Sequence, residues 1–154
     1  MNKKIQNIIN NKNKKKIICL TAYSKNIAEV LDNHVDIILV GDSLGSVLYN
    51  YKTTQKVTLQ MMIEHSKSVK QGVRKSLLVV DMPHNTYKNK RDAYKNAKKI
   101  MVSVKPDAIK LEGGKKVVNI ISYLTRKKIP VMGHLGILPQ SHKGKFKYKG
   151  QTDK

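Results

Sequence analysis

Five short apolar runs recur along the chain, at residues 16–23, 36–43, 75–83, 108–114 and 129–136. Near-continuous Ile, Leu and Val over about four to six residues is how a strand buried on both faces of a sheet reads. The intervals carry a different period. Residues 57–72 set Met61, Met62, His65, Val69 and Gly72 near one face, and residues 87–104 space Tyr94, Ala97, Ile100, Met101 and Val104 three and four apart. Residues 115–126 repeat this with Val117, Val118, Ile121 and Leu124, and 24–33 opens on a possible Ser cap. Strand and helix in strict alternation predict a parallel α/β sheet. At 154 residues the chain is one domain's worth and can bury a core.

The strand runs end in chemistry. Asp42, Asp81, Glu112 and His134 fall at the carboxyl ends of successive predicted strands, where parallel α/β folds bind ligands. Three of only ten acidic residues thus occupy equivalent positions. Carboxylates converging on one mouth repel one another unless a cation joins them, and hard oxygen ligands of this kind suit Mg²⁺. Lys110 precedes Glu112 by two residues, on the same strand face. The alternative for each acid taken singly is a cap on the next helix or turn.

The net charge of +21 raises the question of a nucleic-acid partner. Its make-up argues against a specific one. Only Arg74, Arg91 and Arg126 among the 31 basic residues are Arg, the side chain suited to bidentate phosphate and guanine contacts. One Phe and no Trp leave few stacking surfaces beyond seven Tyr. The Lys excess is therefore read as a solvated surface, and the 10–16 run as a frayed arm. No stretch approaches the roughly 20 apolar residues of a membrane span, and the start is too polar for a secretory signal. A single cysteine, Cys19, suits a reducing compartment, so a cytoplasmic location is expected.

Five blocks carry a resemblance: Thr21-Ala22-Tyr23, Val40-Gly41-Asp42-Ser43-Leu44-Gly45, Asp81-Met82-Pro83, Lys110-Leu111-Glu112-Gly113-Gly114, and Gly133-His134-Leu135-Gly136 leading to Leu138-Pro139-Gln140-Ser141. In order and at these spacings they closely resemble the ketopantoate hydroxymethyltransferase family. The resemblance implies a (β/α)₈ barrel similar to those acting on phosphoenolpyruvate and pyruvate. It implies transfer of a hydroxymethyl group from 5,10-methylenetetrahydrofolate to 3-methyl-2-oxobutanoate, giving 2-dehydropantoate in pantothenate synthesis. By the family pattern Asp42 and Asp81 would hold Mg²⁺, with Glu112 as a third ligand, direct or through a water. Ser43 would bind the substrate carboxylate, Lys110 would pair with its charge, and His134 would lie near the hydroxymethyl group. The remaining histidines match nothing catalytic, and the glycines of the last two blocks are expected to turn sharply beside the ligand.

A (β/α)₈ barrel takes about 250 residues. The chain is accordingly read as a barrel truncated to five strands and four helices: a basic arm over 1–15, disordered or helical, an incomplete barrel over 16–138, and a basic tail over 139–154 equivalent to the loop after strand five. The glutamate that the family uses as proton acceptor then has no counterpart here, so no catalytic residue is assigned. Strands one and five would be open edges, prone to association, and the family's homo-oligomers carry the same expectation. The expectation is a fragment or relic of an enzyme, active or not. Alternatives are a related barrel enzyme performing lyase or aldolase chemistry on another 2-oxo acid, and a basic nucleic-acid-binding protein.

Overall fold

The computed structural model describes residues 2–140. Most of the expected basic tail, 141–154, lies outside the described residues. Five parallel strands stand in sequence order: β1 (Cys19–Thr21), β2 (Ile37–Val40), β3 (Leu77–Asp81), β4 (Ala108–Glu112) and β5 (Val131–His134). The four expected helices are present as α2 (Lys25–Leu31), α4 (Leu59–Gly72), α5 (Lys90–Val104) and α6 (Val118–Arg126). Thr58 and Asn89 cap α4 and α5 by accepting from the amides of Met61 and Asp92, which is why both begin later than the apolar period does.

Two helices add to these four. The basic arm takes its helical alternative as α1 (Lys3–Asn10), whose Ile5, Ile8 and Ile9 stand three and four apart and which sets Ile5 and Ile8 against the sheet. α3 (Leu44–Tyr49) was not expected; it is short, buries Leu44 and Gly45 only, and leaves Val47, Leu48 and Tyr49 exposed. A single turn and a half offers too few apolar repeats to register as a period. Within the 10–16 run Lys15 Nζ lies 2.8 Å from Asp36 Oδ1.

Burial separates the strands. β2, β3 and β4 are covered on both faces, whereas β1 is exposed throughout and β5 is only half-buried, because among the described residues each has a neighbouring strand on one side alone. The main core packs the outward residues of the sheet, such as Ile38, Val40, Leu78, Val80, Ile109 and Leu111, against α4, α5 and α6. The helix faces differ in detail from the sequence reading: α4 buries Ile63 and Ser66 where Met61 and His65 were expected, and α6 buries Ile120 while Val118 stands 55% exposed. A helix lying on a twisted sheet presents a face rotated by one position from the one the apolar letters alone select.

The other face of the sheet is divided. At the amino-terminal ends of the strands Ile37, Leu77, Val79 and Ala108 form a second apolar cluster under Ile5 and Ile8. Two residues further along the same faces come Asp81 and Lys110, and two beyond Lys110 comes Glu112. α1 thus seals one end of the inner face and leaves the carboxyl end to polar groups.

Candidate active site at the strand ends

Strand register brings the expected residues together. Asp81 is registered with Lys110 and Glu112 with His134, which places each pair side by side on one face of the parallel sheet. Lys110 Nζ lies 2.5 Å from Asp81 Oδ1. Asp81 Oδ2 accepts from the Asp42 amide at 3.1 Å, joining the ends of β2 and β3. Gly41 leaves room for the Ser43 hydroxyl, since a Cβ there would stand 3.0 Å from Ser43 Oγ. Ser43 Oγ shares a 2.8 Å hydrogen bond with the Tyr23 hydroxyl at the end of β1. His134 Nδ1 is 3.4 Å from Glu112 Oε2, without hydrogen-bond geometry, and is buried without a partner. Gly113 and Gly136 take positive φ beside these residues, whereas Gly133, expected to turn, is an ordinary strand position.

Residues that the sequence reading gave no role complete the cluster. Gln140 is 3% exposed and reaches three strand ends. Its Nε2 donates to Asp42 Oδ2 at 2.7 Å and to the Met82 carbonyl at 3.0 Å, and its backbone amide donates to Glu112 Oε1 at 2.8 Å. The Tyr87 hydroxyl donates to Gln140 Oε1, and Gln55 Nε2 donates to the Gln140 carbonyl at 2.9 Å. Gln140 and Tyr87 are neutral, so no charge or period marks them in the sequence. Of the other histidines, His65 bridges the Tyr23 carbonyl and the Tyr49 hydroxyl, holding α4 to the β1 end.

Three acids at 3–7% exposure are hard to ionise together. Burial, then the neighbouring Asp81 charge, pushes Asp42 up to about 6. Burial pushes Glu112 up to about 7, against the Gln140 amide that favours its charge. Burial raises Asp81 too, against the opposing Lys110 ammonium. His134 is held below its ordinary value by burial and then by Lys110.

A cluster of this kind is short of positive charge by more than Lys110 supplies. Among the described residues no three His, Cys, Asp or Glu side chains are gathered round one point as ligands. The donor set nevertheless fits a hard divalent cation by its chemistry: buried carboxylate oxygens that repel one another. A cation would offset the burial that raises these groups and the repulsion between Asp42, Asp81 and Glu112 that adds to it.

Known proteins resemble the chain at two depths. The family model described as ketopantoate hydroxymethyltransferase matches residues 2–154. A 3-methyl-2-oxobutanoate hydroxymethyltransferase of Pelagibacter ubique (strain HTCC1062) is 68% identical over 151 residues, which cover 98% of this chain and 58% of that protein. The enzyme of the same name from Rhizobium etli is 51% identical over 127 residues, covering 82% of this chain and 46% of its own length. The chain therefore spans about half the length of these relatives. Among solved structures, a phosphonopyruvate hydrolase in complex with oxalate and Mg²⁺ matches with a TM-score of 0.66 at 12% identity, over 86% of this chain and 52% of that one. A 2,3-dimethylmalate lyase of the PEP mutase/isocitrate lyase superfamily matches at 0.59 and 13% identity, over 84% and 51%. At such identities the likeness is one of fold: this sheet and its helices correspond to about half of a (β/α)₈ barrel.

Proposed function

The chain belongs to the ketopantoate hydroxymethyltransferase family, and on that premise we propose that it supplies the substrate-binding half of an enzyme transferring a hydroxymethyl group from 5,10-methylenetetrahydrofolate to 3-methyl-2-oxobutanoate. The observation that carries this reading is the cluster of Asp42, Asp81 and Glu112, three buried carboxylates on consecutive strand ends with Lys110 among them. A 2-oxo acid offers adjacent carboxylate and keto oxygens, both of which seek positive charge. Asp42 and Asp81 would hold Mg²⁺, with Glu112 direct or through a water. When bound, the cation supplies electrophilic stabilisation of the keto oxygen as negative charge grows there during enolisation.

The rest falls to the chain's own side chains. Ser43 turns its hydroxyl toward the substrate carboxylate, oriented by the 2.8 Å bond to Tyr23. Lys110, fixed by Asp81 at 2.5 Å, contributes a second positive charge at the same mouth without leaving its partner. His134, held mostly neutral by burial and Lys110, stands at the next strand end, on the side where the one-carbon unit would approach. The proton acceptor is assigned to no described residue. Residues 16–138 form the barrel portion in this reading, and the exposed edges β1 and β5 favour association into a homo-oligomer.

Calorimetric titration with 3-methyl-2-oxobutanoate tests the proposal. Binding is expected with Mg²⁺ and not in EDTA, and is expected to vanish in Asp42→Ala and Asp81→Ala. Equal binding by those variants, or binding indifferent to the cation, overturns it.

A further inference from the structure

We infer that Gln140 is a positioning residue for the two outer carboxylates of the cluster, an inference that rests on the cation-binding reading above. Gln140 takes one oxygen from each: its side-chain Nε2 holds Asp42 Oδ2 and its backbone amide holds Glu112 Oε1. Asp42 Oδ1 and Glu112 Oε2 are left for other partners. A carboxylate with one oxygen held by a neutral donor keeps its plane and its charge while the second oxygen serves a ligand, which is how hydrogen-bonded neighbours tune metal-ligating side chains.

The amide is itself held from three sides, so its orientation is determined. Tyr87 donates to Oε1, which forces Nε2 toward Asp42, and the Met82 carbonyl takes the second hydrogen of that nitrogen. Gln55 grips the Gln140 carbonyl from the segment after α3, tying the residue to the β2 side of the mouth. Every hydrogen-bonding atom of Gln140 is thus used, at 3% exposure, and three of its partners, Asp42, Met82 and Glu112, come from the ends of β2, β3 and β4. A residue merely filling space there needs none of these bonds. One occupying the place of a cation would have to break two of them before a cation entered.

Mn²⁺ alone is the probe, its free concentration read by electron paramagnetic resonance, with the thermal midpoint in EDTA as the fold control. Gln140→Met keeps the volume and removes the donors, and Gln140→Ala removes both. Each is expected to weaken Mn²⁺ binding by about tenfold or more, with similar losses for the two. Tyr87→Phe, which frees the amide to turn, is expected to weaken it by a smaller factor and decides the matter if both Gln140 variants unfold. If Gln140→Met binds Mn²⁺ as the parent chain does, or more tightly, while Asp42→Asn abolishes binding, the positioning role is overturned and the cation site stands. If Asp42→Asn leaves Mn²⁺ binding unchanged, the cation site itself falls, and this inference with it.

Discussion

Asp42→Asn should change the pH dependence of stability in a defined direction. Asp42 is 7% exposed, and its carboxyl is pushed from an ordinary 3.8 up to about 6 by burial and then by Asp81. A group whose folded value is raised binds its proton more tightly in the folded chain. Its contribution to stability is fully present below pH 3.8 and is lost as pH rises through about 6. The separation corresponds to about 3 kcal/mol. The substituted amide cannot ionise, so the variant escapes that loss. Urea denaturation in EDTA, followed by far-ultraviolet circular dichroism because the chain has no Trp, measures the parent chain and the variant at pH 4 and pH 7. The difference in unfolding free energy is expected to move by about 2 kcal/mol in the variant's favour between those pH values, since at pH 4 part of the separation has already been lost. Taking the difference cancels most of the titration of Glu112, whose contribution runs in the same direction, and of His134, whose lowered value opposes it. Adding Mg²⁺ should then stabilise the parent chain and not the variant. A difference that stays constant, or that moves toward the parent chain, refutes the account of Asp42 as a carboxylate kept protonated by its surroundings.

Three further substitutions probe the scaffold. Lys110→Met leaves Asp81 buried without its 2.5 Å partner and should cost about 3–5 kcal/mol at pH 7, less at pH 4 where Asp81 takes a proton; an equal cost at both refutes the charge argument. Asp32 caps the turn into β3 by accepting from the amides of Arg74, Lys75 and Ser76, which together hold its carboxyl below the ordinary range although burial works the other way. Asp32→Ala should therefore lower stability at pH 7 by about 2–4 kcal/mol in urea titrations, and the loss should shrink below pH 3.8 as the carboxylate protonates. Gly72 is where α4 meets α2, since a Cβ would lie 2.5 Å from the Lys25 carbonyl and 2.9 Å from the Glu29 amide. Gly72→Ala should cost about 1–3 kcal/mol, read as a lowered thermal midpoint; an unchanged midpoint would mean the two helices can part freely.

Much of this molecule was legible before any coordinates. Three of the five strands, β2, β3 and β4, are written as unbroken apolar runs because they are buried on both faces, which leaves no place for alternation. The acids stand out because the strand end is a position that chain order alone defines: Asp42, Asp81 and Glu112 are each found by counting from an apolar run. For the same reason Lys110 could be placed on the face of Glu112, since strand residues two apart point the same way. The family resemblance, read from short blocks at these ends, agrees with a family model that matches residues 2–154.

Tertiary structure decided what depends on neighbours distant in the chain. β1 reads like the inner strands yet lies exposed, because burial of a strand depends on both its partners and β1 has one. α3 is too short to show a period, and α1 shows one in Ile5, Ile8 and Ile9 but owes its place to the apolar ends of β2, β3 and β4. The pairing of Lys110 with Asp81, rather than with Glu112 on its own strand, follows from register, which no single strand contains. Gln140 is the extreme case. Its five hydrogen bonds reach residues 28 to 98 positions away. A neutral amide has no pattern of its own in a sequence: its role consists entirely of which groups the folded chain brings to it.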